Sequence, residues 1–166
     1  MSQPIAPSSG LMKSSHVRLI DFLPAESIGL SLKATEKESA FEELVALLPL
    51  RHAERRLALE VLRQREAVGS TGVGMGVAIP HCRSTIFGRL MIAFGRSEEG
   101  LVFQSVDRKK VRLMFLIVSP PVEVTNLYHR VLAAIVSSTK DEHYRKRLLA
   151  AESVAEARSI LSEAVF

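Results

Sequence analysis

The chain has 166 residues, 47% hydrophobic and 24% charged, with a net charge of +4, a balance that fits one globular domain with its own core. One cysteine, Cys82, excludes an internal disulfide and a cysteine-built zinc cage, and it suits a reducing, cytoplasmic setting. No apolar run approaches the ~20 residues of a membrane helix, the N-terminus has no signal-peptide stretch, and no basic stripe interleaved with aromatics marks a nucleic-acid surface.

Residues 1–16 are rich in Ser and Pro without apolar periodicity, and read as a flexible N-terminal arm. The domain is expected over 17–166. Ile28 to Leu32 alternates as a half-buried strand does. Thr35 and Glu38 have capping-box spacing ahead of a helix whose apolar positions are Ala40, Phe41, Leu44, Val45 and Leu48. Pro49 closes that helix. A second is expected from about Ala53 to Glu66, with Leu57, Val61 and Leu62 on its apolar face and Arg55, Arg56, Arg63 and Arg65 on its charged face. A glycine-rich stretch follows from Gly69, then the short apolar run Val77-Ala78-Ile79, a strand that Pro80 should end. Residues 82–85 read as a loop. Leu90 to Phe94 is a strand candidate. Val111 to Val118 is nearly apolar throughout, as a central strand covered on both faces would be. Leu127, Val131, Leu132 and Ile135 mark a helix of about three turns. Asp141 can cap a short helix through Leu149, and Ser153 with Glu156 opens a last one to about Ala164. No internal repeat is present. Helices on both sides of the strands in sequence argue for an α/β domain with three layers, α/β/α.

The chemistry concentrates in residues 69–81. Gly72, Gly74 and Gly76 do not complete a dinucleotide fingerprint, because Val77 occupies its last position, and no Gly-Lys-Ser/Thr makes a Walker loop. The glycines serve either as a tight connection or as a backbone cradle that offers N–H groups to an anion. His81 is presented where the strand ends. The other histidines give no H-x-x-x-H or H-E-x-x-H spacing, so no metal site is expected, and there is no G-x-S-x-G element. Cys82, beside His81, has no acidic or second thiol partner in sequence and reads as a bystander.

The run Arg65-Glu66-Ala67-Val68-Gly69-Ser70-Thr71-Gly72-Val73-Gly74-Met75-Gly76-Val77-Ala78-Ile79-Pro80-His81 resembles enzyme IIA domains of the fructose/mannitol type, nearest the nitrogen-regulatory branch. These belong to the phosphoenolpyruvate-dependent phosphotransferase system. The likeness extends from about Leu19 to Ile160. It implies a mixed β-sheet flanked by helices and a phosphoryl carrier that needs no cofactor. It implies His81 as phosphoryl acceptor, with a histidine-phosphorylated carrier protein as donor. Arg65 matches a family arginine near the active site, where a guanidinium can pair with phosphate oxygens. Ser70, Thr71, Gly72 and Gly74 are candidates for the phosphate environment. The family often has a second histidine where the ungapped match puts Tyr128; a one-residue shift puts His129 there instead. Cys82 stands where the family usually has glycine, and it could crowd the docking surface or add redox sensitivity. The lack of a fused transporter domain favours a regulator acting on target proteins over a sugar-specific enzyme IIA serving an enzyme IIB. An interaction module without phosphotransfer is the remaining alternative.

Overall fold

The apolar run 111–118 becomes the middle of the molecule. In a computed structural model, which describes residues 16–123 and 125–166, the strands are β1 (Ile28–Gly29), β2 (Gly72–Gly74), β3 (Val77–Ala78), β4 (His81–Arg83), β5 (Met91–Leu101) and β6 (Val111–Ser119). The helices are α1 (Lys37–Ala46), α2 (His52–Val68), α3 (Leu127–Lys140), α4 (Glu142–Ala150) and α5 (Val154–Leu161). Fifteen residues of the expected N-terminal arm, 1–15, lie outside the described residues.

The sheet runs in the order β1-β5-β6-β3-β2, with β4 also on β6. It is mixed. β1 runs parallel to β5, and β3 and β4 run parallel to β6; β5 pairs antiparallel with β6, and β2 with β3. Side chains alternate across β6 with the period of a strand. Leu113, Phe115 and Ile117 face a core built with α3, α4 and α5. Met114, Leu116 and Val118 face a second core built with α1 and α2. The three-layer α/β/α reading therefore holds, with both faces of the central strand covered as its composition requires.

Several boundaries differ from the sequence reading, each for a physical reason. The first helix begins at Lys37 with Glu36 as its N-cap, not Thr35. Glu36 is held extended by a bridge to Val102, and Glu38, freed from capping, pairs with Arg63 of α2. In α2 the buried positions are Ala58 and Leu62, whereas Leu57 is 40% exposed. Strand β1 is only two residues long, ending at Gly29.

Strand β5 continues well past Phe94, through a polar stretch that hid it. Arg96 is buried there, and its guanidinium donates to the carbonyls of Leu148, Leu149 and Ala151 at 2.6–3.1 Å and to Leu30 O at 2.9 Å. The carbonyl end of α4 is the negative pole of that helix, so the buried cation has both hydrogen bonds and charge compensation. The last two helices match their expected caps: Asp141 accepts from His143 N, and Ser153 from Glu156 N. Pro80 interrupts pairing as expected. The chain nevertheless rejoins the same edge of β6, so Cys82 and Arg83 lie in β4 rather than in a loop.

Candidate functional site

His81 opens β4, in register with Ile117 of the central strand. Its Nδ1 lies 2.7 Å from the carbonyl oxygen of Ile79. A carbonyl can only accept, so Nδ1 carries the proton and Nε2 carries the lone pair. Arg65, in the last turn of α2, donates from Nε to that Nε2 at 3.3 Å and from Nη1 to Gly69 O at 3.0 Å. Burial is the main cause that holds the His81 pKa below its ordinary value, and the Arg65 charge adds to it; the Ile79 hydrogen bond and Glu66 pull the other way. The imidazole is thus neutral near pH 7, with its free electron pair facing a guanidinium.

Tyr128 approaches from the first turn of α3. Its ring centroid is 6.0 Å from that of His81, inclined at 63°. The α3 N-terminus starts from Asn126 in a left-handed conformation (φ 53°), and Glu123 accepts a hydrogen bond from Tyr128 N. Burial raises the pKa of the Tyr128 hydroxyl, so it remains a protonated donor. His129 is exposed, and its Nδ1 lies 2.6 Å from Asn126 Oδ1. The structure therefore brings Tyr128 and not His129 to His81.

Together His81, Arg65 and Tyr128 line an open cleft of about 420 Å³, with Val61, Gln64, Cys82 and Arg83. The sequence reading missed Arg83. Its signal was the two-residue period of a strand, which returns Arg83 to the face of β4 that carries His81. The Arg83 guanidinium lies 4.9 Å from the Tyr128 ring centroid and donates to the carbonyls of Pro120 and Pro121. Cys82 turns the other way, into the core against α1 and α2, where burial pushes its thiol pKa up to about 12. It presents no reactive thiolate.

Ser70, Thr71, Gly72 and Gly74 do not line the cleft. Ser70 Oγ donates to Phe103 O at 3.2 Å. Thr71 donates its hydroxyl to Glu66 at 2.7 Å and its N–H to both Glu66 oxygens at 3.1 and 3.2 Å. Glu66 also pairs with Lys37 of α1 at 2.8 Å. This cluster straps the chain after α2 to two helices and fixes Gly69, whose carbonyl orients Arg65. A Cβ on Gly72 would fall 2.6 Å from Ser105 Cβ and 2.8 Å from Ser105 Cα. Gly74, Met75 and Gly76 all have positive φ and form the turn between β2 and β3. Packing and hairpin geometry account for these glycines, which favours the tight connection over the backbone cradle of the two roles open to them in sequence.

The family model described as "Phosphoenolpyruvate-dependent sugar phosphotransferase system, EIIA 2" matches residues 21–164. The chain is 35% identical over 144 residues to the PTS system fructose-specific EIIA component of Haloferax volcanii, covering 86% of this chain and 93% of that protein. It is 34% identical over 146 residues to the nitrogen regulatory protein of Bradyrhizobium diazoefficiens, covering 87% and 94%. Among solved structures, nitrogen regulatory protein IIA-Ntr from Neisseria meningitidis superposes with a TM-score of 0.77 at 34% identity, covering 85% of this chain and 97% of that one. The chain belongs to the EIIA type 2 family of the phosphoenolpyruvate-dependent sugar phosphotransferase system, a family of histidine phosphoryl carriers.

Proposed function

We propose that this chain is a regulatory phosphoryl carrier that accepts a phosphoryl group on Nε2 of His81 and acts on target proteins according to its phosphorylation state. The observation that carries the reading is the hydrogen bond from His81 Nδ1–H to Ile79 O. It fixes the tautomer and leaves Nε2 as a neutral nucleophile at an open cleft. In the transfer, the Nε2 lone pair attacks the phosphorus of a phosphohistidine on the donor protein. The Nε2–P bond forms as the donor's N–P bond breaks, and that electron pair stays on the donor imidazole. Nδ1 keeps its proton toward Ile79 O throughout, so no general base is required.

Phosphoryl transfer depends on position and on charge stabilisation of the equatorial oxygens. Arg65 supplies a guanidinium already at Nε2, and the Tyr128 hydroxyl supplies a neutral donor. The regulatory reading draws on the likeness to proteins named nitrogen regulatory protein. A sugar-specific role has its own support in the Haloferax volcanii fructose-specific relative. The proposed setting is cytoplasmic, beside a phosphorylated carrier protein. Among the described residues no helix is long and apolar enough to cross a membrane.

The test is labelling with phosphoenolpyruvate in the presence of the first enzyme of the system and its carrier protein. The label should be acid-labile, base-stable and absent from His81→Ala. Labelled His81→Ala would overturn the assignment. Target capture by the phosphorylated and unphosphorylated forms should then differ. Rapid drainage of the label to a sugar through an enzyme IIB would replace the regulatory reading with the sugar-specific one.

A further inference from the structure

The cleft carries a second cation beside Arg65. Arg65 and Arg83 both line it, and none of its other lining residues is acidic. A phosphoryl group brings roughly 1.5–2 negative charges near neutral pH. One guanidinium beside a half-buried imidazole leaves much of that charge uncompensated. We propose that Arg83 is a catalytic residue of the transfer, a second guanidinium that binds the phosphoryl oxygens on His81 together with Arg65. The proposal rests on His81 being the acceptor.

Three observations converge on it. Arg83 follows His81 by two residues on β4, so both side chains leave the same face, while Cys82 between them is buried. The Arg83 guanidinium lies over the Tyr128 ring, 4.9 Å from its centroid, and that ring is 6.0 Å from the imidazole, so one aromatic ring bridges cation and nucleophile. The described hydrogen bonds of Arg83 use Nε and Nη2, two of five donors, and both go to neutral carbonyls, those of Pro120 and Pro121. A contact to an ionised oxygen is about twice as strong as one to a neutral acceptor. Arg83 therefore gains by turning its remaining donors to a phosphoryl group. The charges of Arg83 and Arg65 both act on the Tyr128 hydroxyl, which puts that donor within reach of two cations.

The rival role is a strap. Arg83 would then only hold the chain at Pro120 and Pro121, and its charge would be immaterial. Three variants separate the two: Arg83→Lys keeps the charge, Arg83→Gln keeps a carbonyl donor without charge, and Arg83→Ala keeps neither. Each is phosphorylated by phosphoramidate, a small donor that needs no docking partner. In its zwitterionic form the nitrogen already carries three protons, so its P–N bond breaks with the electron pair staying on nitrogen, ammonia leaves, and the Nε2–P bond forms. The readouts are the phosphorylation rate and the phosphohistidine lifetime, with circular dichroism as the folding control. A lost contact to a charged group corresponds to about 10- to 150-fold in rate. We expect Arg83→Gln and Arg83→Ala to be slower by that range, and Arg83→Lys to recover most of the loss. Normal Arg83→Gln beside impaired Arg83→Lys would establish the strap and overturn the proposal. So would three variants at the wild-type rate. If His81→Ala is still phosphorylated, the failure lies in the acceptor assignment itself.

Discussion

Replacing Glu66 with alanine tests how the site is held. The Glu66 side chain is 7% exposed, and it accepts from Thr71 N, Thr71 Oγ1 and Lys37 Nζ. Losing it strands these donors unequally. Lys37 is 21% exposed and has Gln104 Oε1 at 3.5 Å, so its ammonium can turn to water. Thr71 is 4% exposed and has no such exit. Each buried donor left without an acceptor costs about 1–3 kcal/mol. Two on Thr71 give about 2–6 kcal/mol, in line with the roughly 3–5 kcal/mol typical of removing one partner of a buried pair. At about 2–4 °C per kcal/mol for a domain of this size, a loss of about 3 kcal/mol lowers the thermal midpoint by about 6–12 °C. The assay is thermal unfolding by circular dichroism, with Glu38→Ala as the control. That substitution breaks the exposed pair with Arg63 and should leave the midpoint unmoved. Equal midpoints for Glu66→Ala and Glu38→Ala would refute the argument that Glu66 braces the 69–71 segment. If the brace matters to chemistry, Glu66→Ala should also slow phosphoryl transfer at temperatures where it is folded, because Gly69 O no longer sets the Arg65 guanidinium.

Other expectations are equally specific. Gly72→Ala drives a Cβ into Ser105 and should cost about 1–3 kcal/mol in urea unfolding, with the transfer rate per folded molecule unchanged; slow transfer at full stability would return that glycine to the phosphate site. Tyr128→Phe should slow transfer or shorten the phosphohistidine lifetime while His129→Ala does neither, since only Tyr128 faces His81; the reverse pattern in single-turnover kinetics would contradict the geometry. The transfer rate should fall on acidification with a midpoint below the ordinary histidine value of about 6.5, because protonated Nε2 has no lone pair. Arg65→Ala should move that midpoint up, as it removes a charge that lowers the pKa. The linked stability has the same sign: the folded state binds fewer protons at His81, so stability is lost as pH falls from about 6.5 through the folded pKa.

What the sequence disclosed and what it hid follow from range. The Arg65–His81 run is contiguous, so its resemblance, its helix end and its strand end were legible together. The central strand was legible because burial on both faces leaves Arg112 as the one charged residue in its pattern. Strand β5 was half hidden, because Arg96 looks exposed until the carbonyl end of α4, more than fifty residues later in the chain, is placed against it. The glycine run looked like a phosphate cradle because bare backbone is common to cradles and to tight packing. The Ser105 contact at Gly72, supplied by a distant loop, and the positive-φ turn at Gly74 and Gly76 distinguish the two. Tyr128 over His129 came down to which of two adjacent helical positions faces the strand. Arg83 is not legible in the sequence because Pro80 predicts an end to the pairing, whereas β4 resumes it one residue later.

The central claim is that Nε2 of His81 takes the phosphoryl group while Nδ1 keeps its proton. Nuclear magnetic resonance of the phosphorylated chain, with nitrogen-15 in the imidazole rings, reads this directly through long-range couplings within each ring. The account predicts phosphorus on Nε2 of His81 and a protonated Nδ1 still hydrogen-bonded to Ile79 O. Phosphorus on Nδ1 of His81, or on any other histidine, would contradict it.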